Sequence, residues 1–313
     1  MSRSLGVVFM GTPDFSVPTL KALHESGHRL RLVVTQPDRP KGRGRKVVAP
    51  PVKTVAEGFG YPVIQPTAVK TDEFVDRLKS VEPDVLVVIA YGRILIPRVL
   101  EIPKIAPVNV HASLLPAYRG PAPIQWAIIN GDAETGVTTM RMEAGLDTGD
   151  ILMTAKEPIY TDDTAATLAR RLSKKGAEVL IKTLDALSQD QLKPVAQDDR
   201  LATIAPMLNK SDGRIPWQKP AHRIACFIRG MNPWPGAYTF HGEARLKIFN
   251  AVPCPSDDTG APGTVVEGFP DELRVATGDG ELSIQEIQAA SGKRMSIRDF
   301  LRGYQIPPGT RLE

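Results

Sequence analysis

The first half of the chain alternates short runs of Val, Leu and Ile with stretches of helical periodicity, and this restricts the fold more than any other feature. The apolar runs cover residues 6–10, 30–35, 62–64, 85–90 and 107–110. Their Val and Ile content and short length favour strands covered on both faces. Between them, residues 17–25, 52–57 and 71–80 repeat their apolar positions at helical spacing, with Thr71 placed to cap the third helix. Strand–helix alternation of this kind predicts a parallel sheet covered by helices. Further strands at 138–142 and 151–160 and a long amphipathic helix at 164–187 close the unit.

From 191 to 206 the periodicity fades into small residues and Asp198-Asp199-Arg200, which reads as a linker. A helix at 221–229 follows, then short runs at 238–240, 245–250, 263–267, 272–277 and 281–288, closely punctuated by glycine and proline. Strands so short and regular suggest a small antiparallel barrel, for which an OB-like form is the expectation. The predicted fold is α/β: a Rossmann-like domain with a parallel-rich sheet over 1–190, a linker over 191–206, and an OB-like β-barrel over 207–313.

Composition excludes several classes. With 42% apolar and 24% charged residues the chain is neither disordered nor fibrous, and no run approaches the roughly 18 apolar residues of a spanning helix. The N-terminus runs directly into the strand-like Val7-Val8-Phe9, leaving no room for a signal or transit segment, so a cytoplasmic protein without membrane contact is expected. Two cysteines, Cys226 and Cys254, form no disulfide framework and no metal-ligand cluster. Gly11-Thr12-Pro13-Asp14-Phe15 lacks the glycine spacing of a dinucleotide loop. The net charge of +4 is too small to argue for a nucleic-acid partner, so any such partner must be argued from where charge is placed.

The segment richest in chemistry runs from Val108 to Pro123. Asn109 and His111 lie two apart at the carboxyl end of an apolar strand, so both side chains share one face. Carboxyl ends of parallel strands are where open α/β sheets place ligands. An amine attacking a carbonyl builds negative charge on oxygen, which an Asn amide can stabilise and a His can stabilise or relieve by moving a proton. Asp147, in Leu146-Asp147-Thr148-Gly149-Asp150, could orient such a histidine. Taken singly, each residue has a plainer reading: a turn-forming Asp, and a surface or satisfied Asn and His. No serine or cysteine stands out as a nucleophile, so direct transfer is preferred over a covalent intermediate.

At these residues the chain resembles the folate-dependent formyltransferases. Asn109-x-His111-x-Ser113-Leu114-Leu115-Pro116, Tyr118-Arg119-Gly120 and the distant Asp147 match the active-site pattern of that family. The resemblance implies that Asn109, His111 and Asp147 catalyse formyl transfer. It also implies that 10-formyltetrahydrofolate lies along Ile89, Tyr91, Gly92, Arg93, Ile94 and Leu95, held by their backbone groups and the loop around Asp147, with Ser113, Leu114, Leu115 and Pro116 bordering it. No metal is expected.

Three further segments resemble the branch of the family that acts on charged tRNA. They are Gly11-Thr12-Pro13-Asp14-Phe15, Thr35 to Lys46, and Asn232-Pro233-Trp234-Pro235-Gly236-Ala237. Residues 39–46 hold five cations, Arg39, Lys41, Arg43, Arg45 and Lys46, and no acid. Read alone, such a loop suits a solvated surface or a small phosphate clamp as well as RNA; the resemblance favours RNA, with Arg43 aligned to a critical arginine. From residue 207 onward, 13 Lys and Arg stand against 12 Asp and Glu, so any RNA contact there must come from one face. Lys210, Arg214, Lys219, Arg223 and Arg229 are the candidates. The implied activity is transfer of the formyl group to the α-amine of methionine on initiator methionyl-tRNA, by a monomer. The alternatives are a sugar-nucleotide N-formyltransferase with the same donor, and a non-catalytic tRNA- or folate-binding protein.

Overall fold

The computed structural model describes residues 3–41, 46–256, 260–266 and 271–313. In chain order the elements up to the long helix are β1 (Gly6–Gly11), α1 (Val17–Glu25), β2 (Arg29–Val34), β3 (Arg39–Lys41), β4 (Lys46–Val48), α2 (Pro51–Gly58), β5 (Val63–Ile64), α3 (Asp72–Ser80), β6 (Val85–Ile89), α4 (Pro97–Leu100), β7 (Ala106–His111), α5 (Pro123–Ile129), β8 (Glu134–Arg141), β9 (Ile151–Pro158) and α6 (Ala165–Ser188). After these come α7 (Ala221–Met231), β10 (Ala237–His241), β11 (Ala244–Cys254), β12 (Leu273–Ala276), β13 (Glu281–Ala289), β14 (Met295–Ser296) and α8 (Ile297–Leu301). Two compact units result. The first joins 1–120, 135–158 and 169–205; the second joins 121–134, 159–168 and 206–313.

The first unit is built on a seven-stranded sheet in the order β5-β2-β1-β6-β7-β8-β9. Pairs β5–β2, β2–β1, β1–β6 and β6–β7 are parallel, and β8 turns antiparallel against β7. Val8, Met10, Leu32, Val34, Leu86 and Val88 pack on Phe74, Val75 and Leu78 of α3 and Val99 and Leu100 of α4. The intervening Val7, Phe9, Val33, Val85, Val87 and Ile89 are fully buried as well. Both faces are therefore covered, as consecutive apolar positions require, and each such side chain contributes about 1.5–3 kcal/mol. Thr71 caps α3 by accepting from Phe74 N–H at 3.3 Å.

Strand order matters for function. From β1 the chain moves outward to β2 and β5, then returns to place β6 on the other side of β1. The carboxyl ends of β1 and β6 thus flank the point where winding reverses, the crevice in which open sheets of this type bind ligands. Thr12 Oγ1 donates to Tyr91 O at 3.0 Å and Ser16 Oγ donates to Ile89 O at 2.8 Å, tying the two strand ends together.

In the second unit α7 buries Ile224, Phe227, Ile228 and Met231 against Leu246, Ile248, Leu282, Ile284 and Ile287 of an antiparallel sheet. Its order is β10-β11-β13-β12, with β14 on β13. Closure runs through two short segments. Ala276 N–H donates to Thr264 O, Val265 N–H to Thr310 O, Leu312 N–H to Gly263 O, and Phe240 and Glu313 exchange a pair of bonds. The sheet so closes on itself as a small barrel. The strand expected at 263–267 is in fact this bridging segment: Thr264 and Val265 make isolated bridges, and Glu267 lies outside the described residues. The sequence pattern predicts neither the hairpin β3–β4 nor the helix α5.

Candidate active site

Asn109 and His111 stand at the carboxyl end of β7, between parallel β6 and antiparallel β8. Asp147 comes from the turn joining β8 to β9, where its φ of 53° puts a non-glycine residue in the left-handed region at a cost of about 1–2 kcal/mol. The turn brings its carboxylate to the face shared by the other two. Asn109 Nδ2 donates to Asp147 Oδ1 at 3.4 Å, and Asp147 Oδ2 lies 3.7 Å from His111 Nδ1. Gly120 N–H donates to the same Oδ2 at 2.9 Å. His111, only 6% exposed, donates from Nε2 to Tyr118 O at 2.9 Å. A carbonyl only accepts, so Nε2 carries a hydrogen and Nδ1 is the nitrogen turned to the carboxylate. Amide, imidazole and carboxylate therefore converge on one face of the sheet end.

The loop after β7 is shaped by its own polar atoms. Ser113 Oγ donates to Ala117 O at 2.6 Å, and Thr138 Oγ1 donates to Ser113 O at 2.7 Å while accepting from Leu115 N–H at 3.1 Å. Ser113 and Leu115 are buried, and Leu114 and Pro116 are half-buried. The segment 195–205 lies along this loop. Thr203 Oγ1 accepts from Tyr118 N–H at 2.8 Å, and Arg119 exchanges backbone bonds with Thr203 and Ala205. Gln197 donates to Asp147 O and Gly149 O. The aperiodic sequence of this stretch predicts a linker and singles out neither Gln197 nor Thr203. A polar residue in an aperiodic segment leaves no pattern to find.

At the β6 end, Ile89 and Tyr91 are buried and only their carbonyls face the crevice bonds described above. Burial pushes the Tyr91 hydroxyl up to about 12, against a smaller opposite pull from Arg93. Gly92, with φ 82°, has open space where a side chain would project, and Ile94 is 86% exposed while Leu95 is buried. Arg93 donates to Gln36 Oε1 at 3.1 Å and to Thr67 O at 2.6 Å. Gln36 in turn donates to Tyr91 O at 3.3 Å.

The basic segment divides. Arg39 and Lys46 are exposed on the β3–β4 hairpin, where Lys41 pairs with Lys46 in the ladder, and Arg43 and Arg45 lie outside the described residues. Arg39 also donates to Gln36 Oε1 at 3.3 Å. In the second unit Lys210 and Lys219 are exposed, and Arg214 lies over the Phe240 ring at 5.9 Å. Arg223 and Arg229 are half-buried and engaged internally, Arg223 with Asn130 O and Arg229 with Asp163 O at 2.9 Å.

A site built of an amide, an imidazole and a carboxylate at the carboxyl end of β7 suits acyl transfer, and the chain belongs to the formyl transferase family. The family pattern for formyl transferase matches residues 5–184, and that for the formyl transferase C-terminal domain matches 207–305. The methionyl-tRNA formyltransferase of Citrifermentans bemidjiense is 50% identical over 98% of this chain and 96% of its own length. Among solved structures, an N-formyltransferase of Helicobacter canadensis in complex with folinic acid and dTDP-3-aminofucose superposes with a TM-score of 0.66 at 18% identity, over 94% of this chain and all of that one. HypX of Aquifex aeolicus in complex with tetrahydrofolic acid gives 0.65 at 18% identity over 98% of this chain, which spans about half of HypX. Among the described residues, no helix is long and apolar enough to cross a membrane.

Proposed function

We propose that this chain transfers the formyl group of 10-formyltetrahydrofolate to the α-amine of methionine on initiator methionyl-tRNA. The observation that carries the reading is the convergence of Asn109, His111 and Asp147 in a chain 50% identical, over nearly its full length, to a methionyl-tRNA formyltransferase. The amine nitrogen attacks the formyl carbon, the carbonyl oxygen takes up negative charge, and the bond from carbon to the folate nitrogen breaks. That nitrogen gains a proton and the amine loses one. Asn109 supplies an oxyanion donor: one amide hydrogen points to Asp147, and the other has no partner among the described residues. Asp147 faces His111 across 3.7 Å, orients the ring and accepts the proton leaving the amine.

The donor fits the crevice at the β1 and β6 ends, where backbone groups from Ile89 to Leu95 border open space at Gly92 and an exposed Ile94 side chain offers an apolar edge. The hairpin β3–β4 carries Arg39, Lys41 and Lys46, with Arg43 and Arg45 in the same segment, as the tRNA-binding loop. Lys210 and Lys219 are the exposed lysines among the candidate RNA contacts in the second unit, while Arg223 and Arg229 would have to leave carbonyl partners to serve.

Single-turnover formyl transfer to charged initiator tRNA, beside an elongator methionyl-tRNA and an amino-sugar nucleotide, tests the reading. Product on the initiator tRNA alone is expected. Turnover of the sugar nucleotide with none on tRNA would assign the acceptor to the sugar branch.

A further inference from the structure

The Gln197 side chain makes four hydrogen bonds, and their chemistry leaves no choice of orientation. Its Nε2 donates to Asp147 O at 2.8 Å and to Gly149 O at 2.7 Å. Its Oε1 accepts from Arg119 Nε at 3.1 Å and Nη2 at 2.9 Å. Carbonyls only accept and a guanidinium only donates, so a flipped amide would face repulsion on both sides. Arg119 is 6% exposed and also donates to Asp199 Oδ1 at 2.7 Å.

The residues on either side of Arg119 are the ones that hold the site. Tyr118 O receives the His111 ring, and Gly120 N–H donates to Asp147 Oδ2. Arg119 itself is fixed to the strap through Thr203 O and Ala205 N–H, at 2.8 and 2.7 Å. On the other side of Gln197, the turn it grips holds Asp147 in a backbone region that a non-glycine residue leaves readily unless restrained. One amide therefore bridges the loop that aims the imidazole and the turn that aims the carboxylate.

We infer that Gln197, with Arg119, is a positioning residue for Asp147: it touches no reacting atom, and it sets where the carboxylate stands relative to His111 and Asn109. The inference rests on the formyl-transfer reading of the site. Gln197→Ala removes the grip on the turn. Gln197→Glu keeps the length and the arginine partner but sets a carboxylate against two carbonyl oxygens.

The test is a double-mutant cycle in the full-length enzyme, with kcat and KM measured for Gln197→Ala, Gln197→Glu, Asp147→Asn and the double variant Gln197→Ala/Asp147→Asn. Both Gln197 variants are expected to lose about 10–100-fold in kcat with KM for either substrate within about twofold, because misplacing a catalytic group by an ångström costs on this scale. The double variant is expected to match Asp147→Asn alone, since a positioned group that is gone cannot be mispositioned. Additive losses, or a loss confined to KM, would overturn the inference. Hydrogen exchange of the Gly120 amide gives a readout that needs no substrate, and it is expected to quicken in Gln197→Ala without a matching change across β1 and β6. If the wild type makes no formyl-methionyl-tRNA yet Gly120 exchange quickens, the functional reading fails and the positioning role stands. If Gly120 exchange is unchanged, the positioning role fails whatever the acceptor.

Discussion

Oδ2 of Asp147 lies 3.7 Å from Nδ1 of His111, while the ring's opposite nitrogen donates to the Tyr118 carbonyl. The ring thus stands between the Tyr118 carbonyl and the Asp147 carboxylate, with Nδ1 turned to the carboxylate. The proposed role of Asp147 rests on its charge rather than its bulk. Asp147→Asn preserves size and removes charge. A fall in kcat of about 10²–10⁴-fold is expected, with KM nearly unchanged. Single-turnover kinetics at saturating donor and acceptor measure it, and a loss under tenfold would show that the carboxylate only shapes the turn.

Tyr91 supplies a carbonyl to the crevice while its ring joins the core of the first unit. Its hydroxyl is buried without a partner among the described residues. Pushed up to about 12 by that burial, it stays neutral at any physiological pH. Tyr91→Phe removes an unpaired polar atom and keeps the ring, so stability is expected to hold or rise, by up to about 1–3 kcal/mol. Urea unfolding measures this. A marked loss of stability would mean that the hydroxyl has a bonding role its surroundings do not reveal.

Glu157 on β9 is buried and bonded to Arg171 Nε at 2.7 Å and Lys175 Nζ at 2.8 Å. Burial alone would raise its carboxyl, but the two cations outweigh it and hold the group below its ordinary value. A depressed value in the folded state means that the unfolded chain takes up the proton first. The contribution is therefore fully present above the unfolded carboxylate value, about 4.3, and lost as pH falls through the depressed folded value. Glu157→Gln is expected to destabilise by about 1.5–3 kcal/mol at pH 7 and by progressively less below pH 4. Unfolding curves at several pH values would show the gap closing, and a constant gap would refute the linkage.

How much of this was legible in sequence depended on what kind of contact built each part. Strands β1 and β6 appear as consecutive apolar runs because both of their faces are covered, and the Thr71 cap follows from local chemistry. Asn109 and His111 were legible because strand periodicity puts them on one face. Helix α5 was missed because it opens on Pro123 within a proline-rich stretch and runs for seven residues, too short for a periodic signal. The bridging role of residues 263–266 is hidden because, beside neighbours at 274–276, they pair with 310–312, far along the chain. The strap at 195–205 was hidden for a related reason: Gln197 and Thr203 act through side-chain bonds to backbone atoms of distant turns, and such bonds impose no period.

On the hairpin, Lys46 is exposed at the start of β4, opposite Lys41 in the ladder. If this surface meets phosphates, each cation removed releases one fewer counterion. Lys46→Ala is then expected to weaken tRNA binding and to lower the slope of log affinity against log salt by about 0.7–0.9. Binding titrations between low and moderate salt give that slope. An unchanged slope would place the RNA elsewhere on the molecule.

Gly120 offers the sharpest test of how backbone geometry serves the site. Its φ of 120° lies where side-chain-bearing residues are strained, and a Cβ there would come within 2.7 Å of the Ala205 carbonyl oxygen. That oxygen belongs to the strap, whose Ala205 N–H is bonded to Arg119, so it cannot retreat without loosening the neighbouring residue. Meanwhile Gly120 N–H is the donor that fixes Asp147 Oδ2. Gly120→Ala must therefore either push the strap away or rotate its own amide off the carboxylate. Both displace Asp147 relative to His111. The expected result is a fall in kcat of about 100-fold together with a stability loss of about 1–3 kcal/mol from the strained backbone. Steady-state kinetics and thermal unfolding of the same preparation separate the two effects. A variant that unfolds earlier yet keeps wild-type kcat would show that Asp147 is held by Asn109 and the turn itself, and that the Gly120 amide is dispensable.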